Sequence, residues 1–345
     1  MTNGDSTVAR LAQAQLPGQI IAWNDVLHEG PTPIDLSLEQ LRDVRAQFLA
    51  SRGWAPYADV LADFASRDTT LAQFQAYDEV VLWFEHDLYD QLQLIQLLDW
   101  FAQRPHGDTT LSLICIGAFP GVEPFHGLGQ LSSDQLRARY PGRQRVTEAE
   151  LRLGSAAWKA FCAPDPTAIE AVISGDTSVL PFLKAALMRH LEQFPALDTG
   201  LSRTERQILE LVGTGIQQPI DLFLADQRRE EHPFMGDTTF WWYVQDLGAG
   251  PQPLLTRADG CGLRLPAESS SRAEFAAQTL ALTEHGQRVV QRQADRLSLK
   301  PIDRWLGGVH LQGQQVPWRW DHQHRRIIGG SPALSDGALS RSELD

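Results

Sequence analysis

Short, unbroken apolar runs separated by stretches of helical spacing dominate the first third of the chain. Gln19-Ile20-Ile21-Ala22-Trp23, Val80-Val81-Leu82-Trp83-Phe84 and Leu111-Ser112-Leu113-Ile114-Cys115-Ile116 are such runs. They end at Asn24-Asp25, Glu85-His86-Asp87 and Gly117. Runs of this length, bounded by polar or Gly residues, suit strands covered on both faces of a parallel sheet. Between them, apolar residues recur at three- and four-residue spacing over 7–15, 38–52, 57–76 and 88–103. In the last stretch Leu88, Leu92, Ile95 and Leu98 share one helix face. The alternation predicts an α/β domain over 1–125: an open, mostly parallel sheet with flanking helices.

Helical spacing continues over 131–140, 148–161, 167–173 and 180–194, which reads as a helical extension of that domain spanning 126–198. From Leu201 the pattern changes. Helices are expected over 203–212, 219–229 and 238–247, then apolar segments 253–256 and 279–283 that can pair, then a helix over 284–295. Three helices and a hairpin follow the order of a winged helix. A last hairpin, from Arg304-Trp305-Leu306 to Trp318-Arg319-Trp320 and turning at 312–315, closes this 199–326 unit. The Gly/Ser-rich residues 327–345 are expected to be disordered.

Composition narrows the functions. The 345 residues carry 43 Asp and Glu against 30 Lys and Arg, a formal charge of -13. That acidity argues against general binding to nucleic acid or anionic membrane. Residues 1–100 hold 15 of the acids and five Arg, so most of the imbalance lies there. The expected third helix of the winged-helix-like unit has no Lys or Arg, so nucleic acid is an unlikely partner. The unit suits a protein partner or a homo-oligomer contact instead. Cys115, Cys162 and Cys261 are far apart, which excludes a CxxC metal ribbon and fits a reducing cytoplasm. No signal-peptide pattern and no apolar run near membrane-span length is seen, so a cytoplasmic protein without membrane contact is expected. The three lysines are Lys159, Lys184 and Lys300. The α/β domain therefore offers no Walker A or Schiff-base lysine, and no GxGxxG is present. NAD, PLP and P-loop nucleotides have no signature.

Ligands of open α/β sheets bind outside the carboxyl ends of the strands. Asn3-Gly4-Asp5-Ser6, Asn24-Asp25 with His28-Glu29, and Glu85-His86-Asp87 with Asp90-Gln91 fall at such ends. Both Asn residues of the chain are in this set. Carboxylates gathered at one rim raise one another's pKa or hold a cation, and His beside them serves as general base. The expected catalytic residues are His28, Glu29, Glu85 and His86. Asp5, Ser6, Asn24, Asp25, Asp87, Asp90 and Gln91 are the expected substrate-binding residues, with Arg304 or Arg319 arriving on the last hairpin. Hydrolysis or group transfer on a small-molecule ligand is the enzyme expectation, with a divalent metal on oxygen ligands. A non-catalytic ligand-sensing regulator is the alternative. Asp87 also stands where it would N-cap the helix beginning at Leu88. Gly4-Asp5-Ser6 resembles the nucleophile block of the GDSL-type (SGNH) hydrolases, but that family's later Gly and Asn blocks have no counterpart here.

Four segments are similar to a bacterial family, domain of unknown function 1835. They are Asn-Gly-Asp-Ser at 3–6, Trp-x-Asp-Val-Leu-His-Glu-Gly-Pro at 23–31, Leu-x-x-Val-Arg at 41–45 and Leu-Trp-Phe-Glu-His-Asp-Leu-Tyr-Asp-Gln-Leu at 82–92. The resemblance covers roughly residues 1–125. Residues 200–325, with Phe-Met-Gly-Asp and Asp-Arg-Trp-Leu-Gly-Gly-Val-His-Leu, resemble the uncharacterised C-terminal domain that accompanies it. The resemblance implies a bacterial cytoplasmic protein and brings no activity, substrate or cofactor. Relatives begin with an apolar strand, whereas this chain starts almost at the Asn-Gly-Asp-Ser motif.

Overall fold

A computed structural model describes residues 1–266 and 271–329. Helices and small mixed sheets alternate, as an α/β chain requires. Helices α1 (Asp5–Gln13), α2 (Leu38–Ser51), α3 (Tyr57–Ala72) and α4 (Leu88–Ala102) form where the apolar spacing puts them. Ser37 starts α2 with a capping box: its hydroxyl accepts from Gln40 N–H while the Gln40 amide oxygen accepts from Ser37 N–H. Strand β1 is the two-residue Gly30–Pro31, and β2 (Glu79–Glu85) runs parallel to β3 (Thr110–Ile116) in unbroken register. The antiparallel neighbour of β3 is β4 (Gln144–Arg145), a short exposed polar edge with no hydrophobic signal to foretell it.

The expected strand over 19–23 is reduced to a bridge. Thr2 pairs in parallel with both Ala22 and Trp83. Thr2 N–H donates to Ile21 O, and Trp23 N–H donates to Thr2 O. One bridging residue gives the run one rung of a ladder.

Helices α5 (Ser133–Arg139), α6 (Glu148–Cys162), α7 (Thr167–Ser174) and α8 (Leu183–Leu191) follow, close to expectation. Gly154 of α6 lies against Leu98 of α4, where a Cβ would meet the Leu98 Cβ at 2.5 Å. Helix α4 is thereby covered on nearly every face, from Leu88 to Phe101.

The C-terminal half contains α9 (Arg203–Gly213), α10 (Pro219–Gln227) and α11 (Asp237–Leu247). Strands β5 (Leu255–Arg257) and β6 (Leu280–Leu282) pair antiparallel. Short helices α12 (Arg272–Ala276), α13 (Glu284–Val290) and α14 (Arg296–Leu299) complete it. The helix expected over 284–295 splits because Arg292 takes φ 61°, and Asp295 caps a new turn through Leu297 N–H.

The single hairpin expected over 304–320 is corrected to two. Strand β7 (Ile302–Gly307) turns at Gly307-Gly308 into β8 (Val309–Gly313), and β9 (Trp318–Asp321) pairs with β10 (Arg326–Gly329). Gly307 has φ 63°, and a Cβ on Gly308 would overlap the Cys162 carbonyl oxygen, so the Gly-Gly pair is the turn. The tail expected to be disordered from 327 begins inside β10, where Ile327 is buried; residues 330–345 lie outside the described residues. Strand β7 also runs parallel to β1, Gly30 facing Leu306. The two ends of the chain therefore share a sheet.

Candidate functional site

Three carboxylates converge where β2 hands over to α4. Asp87 has extended backbone and caps α4, its Oδ1 accepting from Asp90 N–H at 3.0 Å. Asp90 Oδ1 accepts in turn from Glu85 N–H at 2.9 Å, and Asn3 Nδ2 donates to Asp90 Oδ2. Gln91 Nε2 donates to the Glu85 carbonyl at 2.6 Å and so fixes the strand end to the helix. Leu128 N–H donates to Glu85 Oε1, and the carboxylate sits so tightly on Gly127 that no Cβ fits there. Carboxylate oxygens of Glu85, Asp87 and Asp90 all lie within 4.8 Å of one another. The three residues are 7, 5 and 2 % exposed.

None of the three is ion-paired among the described residues. Five other buried acids are paired: Asp25 with Arg45, Glu29 with Arg304, Asp68 with Arg67, Glu205 with Arg296 and Glu230 with Arg189. Buried Asp99 and Asp226 also lack an ion pair among the described residues, but they stand apart from the cluster. Burial pushes Glu85 up to about 8, with the Asp87 charge adding to it. It pushes Asp87 to about 7. Asp90 rises well above the carboxylate range, by burial first and then by the charges of Asp87 and Glu85.

The other expected residues divide. Asn24 Nδ2 donates to Asp5 Oδ1 at 3.2 Å, and Asn24 Oδ1 accepts from Gly4 N–H at 2.9 Å, so these two hold the start of α1 beside Asn3. Ser6 is exposed. Asp25 is bound by Arg45, whose Nε and Nη2 reach both carboxylate oxygens. Arg45 also donates to the carbonyls of Val26 and Glu29, so it shapes the whole 25–31 loop. Arg304 comes back from β7 to Glu29, with Nη2 to Oε1 at 2.5 Å. Tyr243 O–H donates to the same oxygen at 2.5 Å, and Gln193 Nε2 donates to Tyr243. Burial raises the Glu29 pKa and Arg304 opposes the rise. Arg319 is elsewhere: it donates to the Ala196 carbonyl and pairs with Asp295.

His28 packs its ring on Tyr89 and Phe234, and neither ring nitrogen has a hydrogen-bond partner. Burial holds its pKa well below the imidazole range, helped by Arg45 and Arg304. His86 has an unpartnered Nδ1 and meets the His232 ring edge-on at 4.4 Å. Its pKa is lowered to about 4, by burial and then by His232.

Sequence reasoning missed Arg45, Arg67 and Tyr243 as organising residues. The signal was present for both arginines. Arg45 lies between Leu41 and Leu49 at four-residue spacing, and Arg67 falls in the stripe of Val60, Phe64 and Leu71. A charge on an apolar stripe is buried with a partner.

No protein-family model matches the chain, and no curated protein matches it. No helix among the described residues is long and apolar enough to cross a membrane.

Proposed function

We propose that the chain is a divalent-cation-dependent hydrolase or group-transfer enzyme whose cation is held by Glu85, Asp87 and Asp90. The observation that carries this is the meeting of three buried carboxylates without an ion-pair partner among the described residues. Like charges in a dry site are relieved only by protons or by a cation. Hard oxygen donors suit Mg²⁺, Mn²⁺ or Ca²⁺. The position supports the same reading. Counting the Thr2 bridges as strands, the order in space from Ala22 through Thr2 and β2 to β3 is second, first, third and fourth in the chain. The carboxyl ends of the first and third strands in such an order flank the switch point where ligands bind. Asn3 and Glu85 stand there. His86, neutral at pH 7 with Nδ1 free, is the candidate proton acceptor, and Asn3 positions Asp90.

Burial of all three carboxylates favours a second reading, a sensor that holds its ligand without turnover. Helices α9 to α11 with the β5–β6 hairpin follow the winged-helix order, and in this reading they form the interaction module. Helix α11 has no Lys or Arg and spends Phe240, Trp241, Tyr243 and Val244 on this chain's own core, which gives nucleic acid no basic face on that helix. The resemblance to domain of unknown function 1835 is compatible with both readings.

Calorimetric titration of the metal-free full chain with Mn²⁺ tests the cation site. Asp87→Asn keeps a capping oxygen and removes the charge. One Mn²⁺ per chain is expected, weakened at least roughly tenfold by Glu85→Gln or Asp87→Asn. Absence of Mn²⁺ binding, or binding by both variants as tight as by the native chain, refutes the site. Turnover of phosphate- or carboxylate-ester substrates that requires Mn²⁺ separates enzyme from sensor.

A further inference from the structure

We propose that the cavity beside Arg67 binds the organic part of the ligand, and that this part is a planar ring carrying an oxyanion. The proposal deepens the switch-point reading and rests on it for the placement of the reacting end. The cavity, about 650 Å³, opens between α3, the 19–26 segment and the first turn of α11. That volume falls within the range of small-ligand sites, roughly 300–1,000 Å³. Trp54, Phe64 and Tyr89 supply aromatic walls, while Asp5 and Asn24 stand at the end that adjoins α1. The cavity and the carboxylates are neighbours through the chain itself: Tyr89 precedes Asp90, and Asn24 holds Gly4 next to Asn3.

Arg67 decides the chemistry. It is 8 % exposed, and its guanidinium carbon lies 4.0 Å from the ring centroids of both Trp23 and Phe64. Nε donates to Asp68 at 3.2 Å and Nη1 to the Asn24 carbonyl at 3.3 Å. Nη2 has no hydrogen-bond partner among the described residues. Rings against the guanidinium limit approach to its edge, and edge-on N–H groups recognise carboxylate or phosphate oxygens. Two carboxylates face Arg67, and each is shared: Asp25 with Arg45 and Asp68 with Arg42, so three guanidiniums draw on two acids. An aromatic-walled cavity with one such edge matches a flat ring bearing an anionic group. Thr238 and Thr239 of α11 complete the rim, so the C-terminal half contributes to the ligand's enclosure.

Calorimetry on the full chain in Mn²⁺ tests this with four probes: AMP, benzoate, adenosine and inorganic phosphate. AMP or benzoate is expected to bind at least roughly tenfold tighter than adenosine and phosphate, and the better of the two tells phosphate from carboxylate. Ser66 is exposed on α3 at the cavity rim, so Ser66→Trp fills the mouth with little risk to the fold. Ser66→Trp and Arg67→Lys should each weaken that binding roughly tenfold or more while Mn²⁺ binding stays unchanged. Urea midpoints confirm that both variants fold. Binding unaffected by Ser66→Trp, or no binding of AMP and benzoate by a chain that does bind Mn²⁺, overturns the cavity proposal. Ring-oxyanion binding that Ser66→Trp abolishes, in a chain that binds no Mn²⁺, upholds the cavity and overturns the cation site alone.

Discussion

Replacing Arg304 with Met removes the guanidinium that bonds Glu29 and keeps an apolar stem in its place. In the native chain Arg304 Nη2 and Nε hold the two Glu29 oxygens at 2.5 and 3.2 Å. The side chains are 5 and 2 % exposed, so the pair is dry. Breaking a buried pair from one side costs about 3–5 kcal/mol, because the remaining charge is left uncompensated. The Tyr243 hydroxyl still donates to Glu29 and offsets roughly 1 kcal/mol of that. The expected loss is therefore about 2–4 kcal/mol. Adding Glu29→Gln removes the stranded charge, so the double variant should be more stable than the sum of the two single losses by at least about 1 kcal/mol. Urea denaturation read by far-ultraviolet circular dichroism and by Trp fluorescence measures all four states of the cycle, with coincident transitions required. A loss below about 1 kcal/mol for Arg304→Met, or additivity within about 0.5 kcal/mol, would refute the claim that this pair joins the two ends of the chain in a dry interface.

Three further variants probe the packing and a buried imidazole. Gly308→Ala should cost about 2 kcal/mol or more in urea, because its Cβ has the Cys162 carbonyl in the way, whereas Gly313→Ala, at φ 91° in open space, should lose only about 1 kcal/mol; equal losses contradict the steric argument. His190 is fully buried without a hydrogen-bond partner, and burial, then Arg304 and Arg189, lower its pKa to about 3. Between that value and about 6.5 the unfolded chain binds a proton that the folded chain refuses, so stability falls with falling pH by about 1.4 kcal/mol per unit. His190→Met should flatten the curve by about 2 kcal/mol between pH 6.5 and 5. Asp226, raised to about 7 by burial, acts in the opposite direction and cancels in the comparison. Parallel curves for the two proteins sink the assignment.

Legibility followed the length of the signal. Seven-residue apolar strands and helices of fourteen to sixteen residues stand close to where spacing puts them. Asp87 caps α4 as its position suggests, and the strand-end rule groups Glu85, Asp87, Asp90 and Asn3 from the sequence alone. Pairing partners were not legible. The apolar run at 19–23 looks like a strand because its residues do, but its ladder depends on how much chain stands at Thr2. The turn at Gly307-Gly308 was hidden behind a plausible Gln-rich turn, since only the approach of Cys162 tells which turn must lack a Cβ. Glu29 was grouped with Glu85 because both follow apolar runs. Its bond to Arg304 spans 275 residues, and nothing local in either segment reports it.

The acidity of residues 1–100 separates by partner. Asp59 and Asp63 are exposed on α3 and need none. Asp25 takes Arg45, and Asp68 takes Arg67 and Arg42. Of the five arginines in this segment, Arg10 is exposed and Arg52 is stacked over Trp242. The local supply is then committed, and Glu29 draws its guanidinium from β7 of the C-terminal half. Among the described residues no arginine pairs with Glu85, Asp87 or Asp90. Their neighbours are an amide at Asn3 and a backbone N–H at Leu128, which orient carboxylates without supplying charge. Asp87 contributes the cap of α4, whereas burial works against the charges of Glu85 and Asp90. Their raised pKa values let protons neutralise the three acids, and in the proposed reading a cation from solution takes the place of those protons. On that reading the chemistry of this chain lies at the end of β2, and β7 of the C-terminal half braces the neighbouring loop through Arg304 and Glu29.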